Sequence, residues 1–319
     1  MIDSQKVYIV TVHFNSENDV LESWDSLSKS TYDNFQWIIV DNASSSASLH
    51  TLTKQLQQKV NNIVVLKNTD NFLEKTKESK VVLIENDKNE GFAAGNNVAI
   101  KPLLQNETNG FIWLLNPDVI IEPNVLEDLV VLAKDKSNSI VGNLIHYYHQ
   151  KDEVMYCGGF EVKKWRHGVC DIKSEEQIHK IDAIAGASLF TSINAYRDIG
   201  LLPENYFLYW EETHFCTLAL DKGYSFQVNT NSIIFDKVGS AANTSFTREY
   251  LYILNGLRFY QRFYPFRIPI IFATTILKFV KSIITGPTVK RKALFYGNWD
   301  YILGVFGLAP NIKNRISKN

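Results

Sequence analysis

Two acidic residues stand directly behind apolar runs. Ile112-Trp113-Leu114-Leu115 runs into Asn116-Pro117-Asp118, and Ile38-Ile39-Val40 runs into Asp41-Asn42. Each run reads as a buried strand of a parallel sheet. Open α/β sheets bind ligands beyond the carboxyl ends of such strands. Two carboxylates delivered to one crevice point to a site for a nucleotide and a divalent cation. A third segment, Asn89-Glu90-Gly91-Phe92-Ala93-Ala94-Gly95-Asn96-Asn97, holds two glycines that permit close backbone approach before a helix. Backbone N–H groups at a helix start favour phosphate. A fourth, Tyr209-Trp210-Glu211-Glu212, places paired acids in the first turn of a helix that runs to about Lys222.

The elements that position these residues follow from periodicity. Val7–Val12 and Phe35–Val40 read as strands flanking a helix with Val20, Leu21, Trp24 and Leu27 on one face, capped by Asn18 or Asp19. Strand, helix, strand implies a right-handed parallel unit. Further strands are expected at Ile63–Leu66, Val81–Ile84, Phe111–Leu115, Ile140–His146, Met155–Phe160, Tyr224–Val228 and Ser232–Phe235, and helices at Leu49–Val60 and Pro123–Lys134. Asn68–Lys80 looks like an exposed insertion, and Ile181–Phe190 is an apolar run with Gly186-Ala187-Ser188 inside it.

The chain has 319 residues, 45% hydrophobic and 21% charged, enough for a sizeable core. Its net charge of -1 gives no global basic field, so no nucleic-acid partner is expected. Cys157, Cys170 and Cys216 form no C-x-x-C pair, which excludes a zinc ribbon and fits a reducing cytosol. The start of the chain carries no charged leader with a long apolar core, so a signal peptide is not expected. From Phe266 onward nine Lys/Arg stand against one acid, a net of +8 on an otherwise acidic body. Phe272, Ile276, Phe279, Val280 and Ile283 recur on one helical face of this tail, interrupted by Lys278 and Lys281. That pattern predicts a helix lying in a membrane interface, or packed on the body or on a second subunit, rather than a span.

With these motifs in order, Thr11-Val12-His13-Phe14-Asn15, then Val40-Asp41-Asn42-Ala43-Ser44, the Gly91–Gly95 segment, Leu115-Asn116-Pro117-Asp118 and Tyr209-Trp210-Glu211-Glu212, the chain resembles the inverting family 2 glycosyltransferases of the GT-A fold. It is most similar to bacterial rhamnosyltransferase-type enzymes of O-antigen and capsule assembly. The resemblance covers roughly residues 5 to 265. It implies an α/β fold with a Rossmann-like, mostly parallel central sheet flanked by helices. A catalytic region over 1–265 would divide into a donor-nucleotide half to about 120 and an acceptor half from 121, followed by a basic helical extension over 266–319.

The resemblance also implies roles. Asp41 would hold the base of a UDP- or dTDP-linked sugar, Thr11 and His13 would line the same base and ribose pocket by backbone contacts, and Asn42 would be a further nucleotide-sugar contact. Lys88, Gly91, Gly95 and Asn96 would lie beside the phosphates. Asp118 would bind the cation, Mg2+ or Mn2+. Asn116 replaces the first acid of the family's Asp-x-Asp motif and would contribute a ribose or water contact. Asp236, near Gly239-Ser240, would replace a metal-binding histidine. Glu212 stands where the family's general base falls, with Glu211 as the alternative base or an orienting acid. Gly186, Ala187, Tyr209 and Trp210 would shape the acceptor site. His214 reads as a helix-surface residue.

The function implied is transfer of a sugar, L-rhamnose by resemblance, to a hydroxyl of a cell-surface glycan or lipid-linked oligosaccharide. The enzyme would sit in the cytoplasm at the inner membrane face, with self-association left open. A non-catalytic scaffold keeping the fold is the alternative, motivated by Asn116. A nucleotidyltransferase wants a Gly-rich basic loop after the first strand, which His13-Phe14-Asn15-Ser16 does not provide.

Overall fold

The computed structural model describes residues 5–67, 72–237, 245–285, 287–308 and 312–316. The early apolar runs become neighbours in one sheet. Strands β1 (Val7–His13), β2 (Phe35–Asp41), β3 (Ile63–Leu66), β4 (Val81–Glu85) and β5 (Phe111–Leu115) lie parallel in the order β3-β4-β2-β1-β5. Helices α1 (Glu17–Leu27), α2 (Ser46–Lys59), α3 (Phe72–Thr76) and α4 (Phe92–Asn106) make the crossovers. β2 and β5 are buried at every residue, as strands covered on both faces must be. Trp24 of α1 stacks on Trp37 of β2 at 5.7 Å between ring centroids, fixing helix to sheet.

The second half extends this sheet with mixed pairing. Its elements are β6 (Val119–Ile121), α5 (Val125–Asp135), β7 (Ser139–Tyr147), β8 (Gln150–Cys157), β9 (Gly159–Val162), β10 (Val169–Asp171), β11 (Ala183–Ile184), β12 (Ser188–Ser192), α6 (Ile193–Ile199), α7 (Glu211–Asp221) and β13 (Ser225–Asp236). The order continues β5-β12-β7-β13-β6, with β12 antiparallel to both neighbours and β8 paired to β7. The Trp113 indole donates to Ser188 Oγ at 2.8 Å, joining β5 to β12 inside the core. The result is the mostly parallel α/β sheet expected, closed by helices α8 (Phe246–Phe263), α9 (Ile268–Thr285), α10 (Thr288–Val305) and α11 (Ile312–Ile316).

Several local expectations are corrected. Helix α1 begins at Glu17, with Ser16 rather than Asn18 or Asp19 in the cap position. The stretch before Lys80 is not simply exposed: Phe72, Thr76 and Ser79 are buried, and buried Gln36 donates to the Thr76 and Ser79 carbonyls. The polar side chain at 36 needed partners, and this segment supplies them. Tyr224–Val228 and Ser232–Phe235 are one strand, β13, with an irregularity between Asn229 and Ile233. Met155–Phe160 is two strands because Gly158, at φ +86°, turns the chain into a small antiparallel sheet, β10-β9-β11. A Cβ there would lie 2.4 Å from Val228 Cγ2. Ile181–Phe190 is likewise split between β11 and β12, leaving Gly186 and Ala187 as the turn between sheets.

A second core forms behind the sheet. Trp210, Tyr250, Phe259 and Tyr260 pack with Ile271, Leu294 and Tyr301, so the aromatic cluster crosses position 265 into the tail helices. Helix α9 is apolar nearly all round. Its inward face carries Ile271, Thr275 and Ser282 with half-buried Phe272 and Phe279, while Ile270, Leu277, Val280 and Ile284 point outward. Periodicity therefore found the helix but mixed its two faces.

Trp113→Ala removes a fully buried ring and leaves Ser188 unpaired, costing about 3–5 kcal/mol. The expected reading is a lower denaturant midpoint at unchanged slope.

Candidate active site

The parallel half ends in a polar cluster. His13 and Asp41 are paired in register at the carboxyl ends of β1 and β2, with His13 Nε2 3.7 Å from the Asp41 carboxylate. The Ser44 amide points at both Asp41 oxygens, at 3.4 and 3.2 Å. Burial holds the His13 imidazole below its ordinary pKa, against the opposing pull of Asp41 and Glu17. A neutral imidazole beside an acid leaves that acid free to accept from a ligand N–H.

Other residues picked from the sequence are structural ties at this position. Thr11 is fully buried, and its hydroxyl accepts from the Trp37 indole at 2.9 Å. Asn42 donates to Asn89 Oδ1 and to the Gly91 carbonyl, both at 3.0 Å. Asn96 is buried and bonds back to the Phe92 carbonyl. Gly95 lets α4 close on β1, since a Cβ would sit 3.0 Å from both Val12 methyls. Lys88 is exposed on the same loop.

Gly91 makes the junction to the other half. Its φ is +95°, and an added Cβ would lie 2.0 Å from the Phe207 carbonyl oxygen. The next amide, Phe92 N–H, donates to that same oxygen at 2.7 Å. Phe207, Tyr209 and Trp210 all have positive φ (66°, 67° and 78°), an uncommon run for non-glycine residues. The strain is held from behind. Asn255 of α8 donates to the Tyr206 and Leu208 carbonyls, and the Trp210 indole donates to the Tyr252 carbonyl at 3.0 Å. The Trp210 ring is buried among Tyr252, Phe259 and Tyr260, so it anchors the loop. His214 is buried too, bonded to the Tyr206 hydroxyl at 3.0 Å, rather than on the helix surface.

This loop launches α7 with Glu211 and Glu212 in its first turn. Glu211 is 3% exposed, and its Oε2 has no hydrogen-bond partner among the described residues. Burial first, and the Glu212 charge second, raise its pKa well above the ordinary value. Burial pushes Glu212 up to about 7. Gly186 faces it: a Cβ on Gly186 would meet Glu212 Cγ at 3.5 Å. The neighbouring Ala187 carbonyl accepts from the Asn116 amide at 3.0 Å. Asp118 follows immediately, and the Lys237 amide donates to its carbonyl at 3.2 Å, next to Asp236 at the end of β13. Burial raises the Asp118 pKa, with Asp19 adding and Lys237 and Arg248 opposing.

One cavity of ≈ 440 Å³ collects Asn116, Gly186, Ala187, Tyr209, Trp210, Glu211, Glu212 and Asp236. Asp41 and Asp118 stand outside its lining, joined to it through the Asn42–Gly91–Phe207 chain and the β6–β13 pair. Tyr147, Tyr156, Asp171, Arg248 and Tyr252 also line it and carried no motif in the sequence. Gly239-Ser240 lies outside the described residues.

The family profile described as Glycosyl transferase family 2 matches residues 8–190. The chain belongs to this family. It is 23% identical over 317 residues to the low-salt glycan biosynthesis hexosyltransferase Agl10 of Haloferax volcanii, covering 97% of this chain and 92% of that one. Among solved structures it is similar to the mannosyltransferase PcManGT from Pyrobaculum calidifontis in complex with GDP-Man and Mn2+, with TM-score 0.55, 12% identity, and 99% and 84% of the two chains covered. It is also similar to S. aureus TarS 1-349 in complex with UDP-GlcNAc, with TM-score 0.54, 17% identity, and 96% and 82% covered. The chain spans half the length of the longer TarS chain it matches. These likenesses show the GT-A fold.

Among the described residues no three His, Cys, Asp or Glu side chains converge on one point. For a family 2 glycosyltransferase this donor set still fits Mg2+ or Mn2+. Such ions keep several waters and take one or two carboxylates, completing their shell from substrate phosphates. Asp118, with Asp236 beside it across the strand pair, supplies hard oxygen donors of that number.

Gly91→Ala must break the contact with Phe207, so the 207–210 loop moves; activity falls at least about 100-fold by misplacement of the acids, with the fold retained by circular dichroism. The Glu212 carboxyl is neutral below about pH 7 and charged above it. Because its folded pKa is raised, stability is lost as pH rises from the ordinary carboxylate range through about 7. Glu212→Gln therefore gains stability at pH 8, by up to roughly 3 kcal/mol before solvent screening, and gains nothing at pH 4. Denaturant midpoints at the two pH values check this.

Proposed function

We propose that this glycosyltransferase moves a hexose from a nucleoside diphosphate to an acceptor hydroxyl with inversion. The observation that carries the reading is a pair of adjacent carboxyls, buried Glu211 and half-buried Glu212, lining a cavity at the carboxyl ends of a nucleotide-type sheet. Glu212 is the general base. Held near pH 7 in its proton affinity, it takes the acceptor proton as the hydroxyl attacks the anomeric carbon. Glu211, whose neutral form is favoured by its burial, orients the acceptor. Asp41 accepts from the imide N–H of uracil or thymine, which cytosine lacks. Asp118 and Asp236 hold a divalent cation that neutralises the leaving diphosphate.

The likeness to TarS with UDP-GlcNAc and to PcManGT with GDP-Man and Mn2+ supports a nucleotide-sugar donor and a cation. L-rhamnose on dTDP remains the donor proposed from the sequence, and a glycan or lipid-linked oligosaccharide the acceptor. The aromatic wall of Tyr147, Tyr156 and Tyr252 suits the apolar face of a sugar ring.

We propose further that residues 1–265 carry the chemistry and 266–319 hold the enzyme on an anionic membrane. No described helix is long and apolar enough to cross a membrane. Helix α9 instead offers outward Leu277 and Ile284, 67% and 83% exposed, beside Lys281, with Lys290, Arg291 and Lys292 at the start of α10. Basic residues near such a surface contribute about 1 kcal/mol each.

A panel of UDP-, dTDP- and GDP-sugars, scored for nucleoside diphosphate release with and without acceptor, tests the reading. Glu212→Gln is expected to lose about 10²–10⁴-fold in kcat. Activity should rise with pH through about 7 as Glu212 ionises, and full activity in that variant would sink the assignment. Chelation of cations abolishes transfer, and Asp118→Asn raises the Mn2+ needed for half-activity by about tenfold or more. Leu277→Glu with Ile284→Glu abolishes flotation with phosphatidylglycerol vesicles while soluble activity stays. Point changes are needed because removing the tail would strip packing from Trp210.

A further inference from the structure

The cavity has a charge imbalance that the roles above leave open. Of its twenty lining residues, four are acids, Asp171, Glu211, Glu212 and Asp236, and Arg248 is the one Lys or Arg among them. A diphosphate brought into such a place meets acids on most sides. Two cations act on Asp118, Lys237 and Arg248. Lys237 is spent on Asp19 at 3.1 Å and Glu22 at 2.7 Å. Arg248 is not: its side-chain bond runs from Nε to the Tyr209 hydroxyl at 3.0 Å, and no ion pair among the described residues uses it. That bond fixes the planar fork, and among the described residues both terminal nitrogens are left for another ligand.

The helix itself gives no reason for this residue. Arg248 sits in the first turn of α8, where Ser245 accepts from its amide, and the helix dipole disfavours a cation there. Asn116 sharpens the need, because a site with one fewer acid holds its divalent cation less tightly and delivers less positive charge to the leaving group.

We propose that Arg248 binds the donor diphosphate and stabilises it as it leaves, sharing that task with the divalent cation. This rests on the nucleoside diphosphate reading above. In the step, the acceptor oxygen forms its bond to the anomeric carbon while the anomeric C–O bond to the diphosphate breaks. The bonding pair stays on the diphosphate oxygen, where the guanidinium meets the new charge. The acceptor proton goes to Glu212. Arg is suited because its fork matches phosphate oxygens in pairs.

The test is calorimetric titration of UDP, dTDP and GDP, each with and without Mn2+, into wild type, Arg248→Gln, Arg248→Lys and Tyr209→Phe. Without metal, Arg248→Gln is expected to weaken the preferred diphosphate about 10- to 100-fold. Arg248→Lys recovers part of the loss, and Tyr209→Phe, which loosens the arginine but keeps its charge, loses less than Arg248→Gln. Arg248→Gln binding like wild type would overturn the proposal. So would equal losses in Arg248→Gln and Tyr209→Phe, which would make Arg248 an anchor for the strained loop. Wild type that binds no diphosphate under either condition would overturn the donor reading itself, and this assignment with it. Thermal melting of each variant confirms that the fold persists.

Discussion

The two halves of the site meet at one backbone contact. The Phe207 carbonyl receives the Phe92 amide at 2.7 Å, and only a glycine at 91 leaves room for that approach. On one side, the contact continues through Asn42 to Asp41 and the end of β2. On the other, it enters the left-handed run that aims Glu211 and Glu212. The proposed nucleotide pocket and the proposed base, separated by some 170 positions in the chain, are thereby held by a bond between main-chain atoms, which no side-chain rotation can relax. The strain at 207–210 persists because Asn255, Trp210 and Gly91 constrain the loop from three directions.

The acids set the opposing constraint. Two adjacent carboxyls, one almost wholly buried and with an unpaired oxygen, oppose folding above neutral pH. Nothing in the packing requires them, since glutamine would fill the same volume without the charge. Stability lost at a cavity wall, beside a glycine that keeps the space open, has a physical reason only if a ligand uses it. The aromatic cluster behind Trp210 offsets that loss. It also explains why the tail helices matter to the site at a distance: Ile271, Leu294 and Tyr301 complete the packing on which the loop rests.

Much of the sheet was legible because apolar runs of five to seven residues ending in Asp or Asn have few other readings. The strand-end positions of Asp41 and Asp118, and the helix start at Glu211, follow from that pattern. Residue type alone could not separate ligand contacts from ties. Gly95 and Asn96 look like phosphate-loop residues and Asn42 like a nucleotide contact, yet their bonds and contacts among the described residues are internal. Thr11 lies two residues short of the strand end, where the side chain faces the core. Arg248 had no signal at all, because only the fold brings the start of α8 to the cavity wall and within electrostatic reach of Asp118. In α9, an apolar sequence on nearly every face defined a helix without saying which stripe meets Trp210 and which meets solvent.

The electrostatics argue for an order of assembly. In the proposed reaction a divalent ion alone would find no cluster of three ligands among the described residues, and a bare diphosphate would face the charged acids around the cavity with Arg248 as the cation in its lining. Together, in that reaction, they would neutralise each other, and the proposed ligands Asp118 and Asp236 with one guanidinium would hold the complex. Its arrival also changes the field at Glu212. A donor carrying net negative charge would raise that carboxyl further, whereas one neutralised by cation and arginine leaves it near its resting value of about 7. On the proposed mechanism, charge balance at the phosphates is a condition for Glu212 to be ionised at neutral pH. The two ends of the reaction are coupled through the same small set of charges.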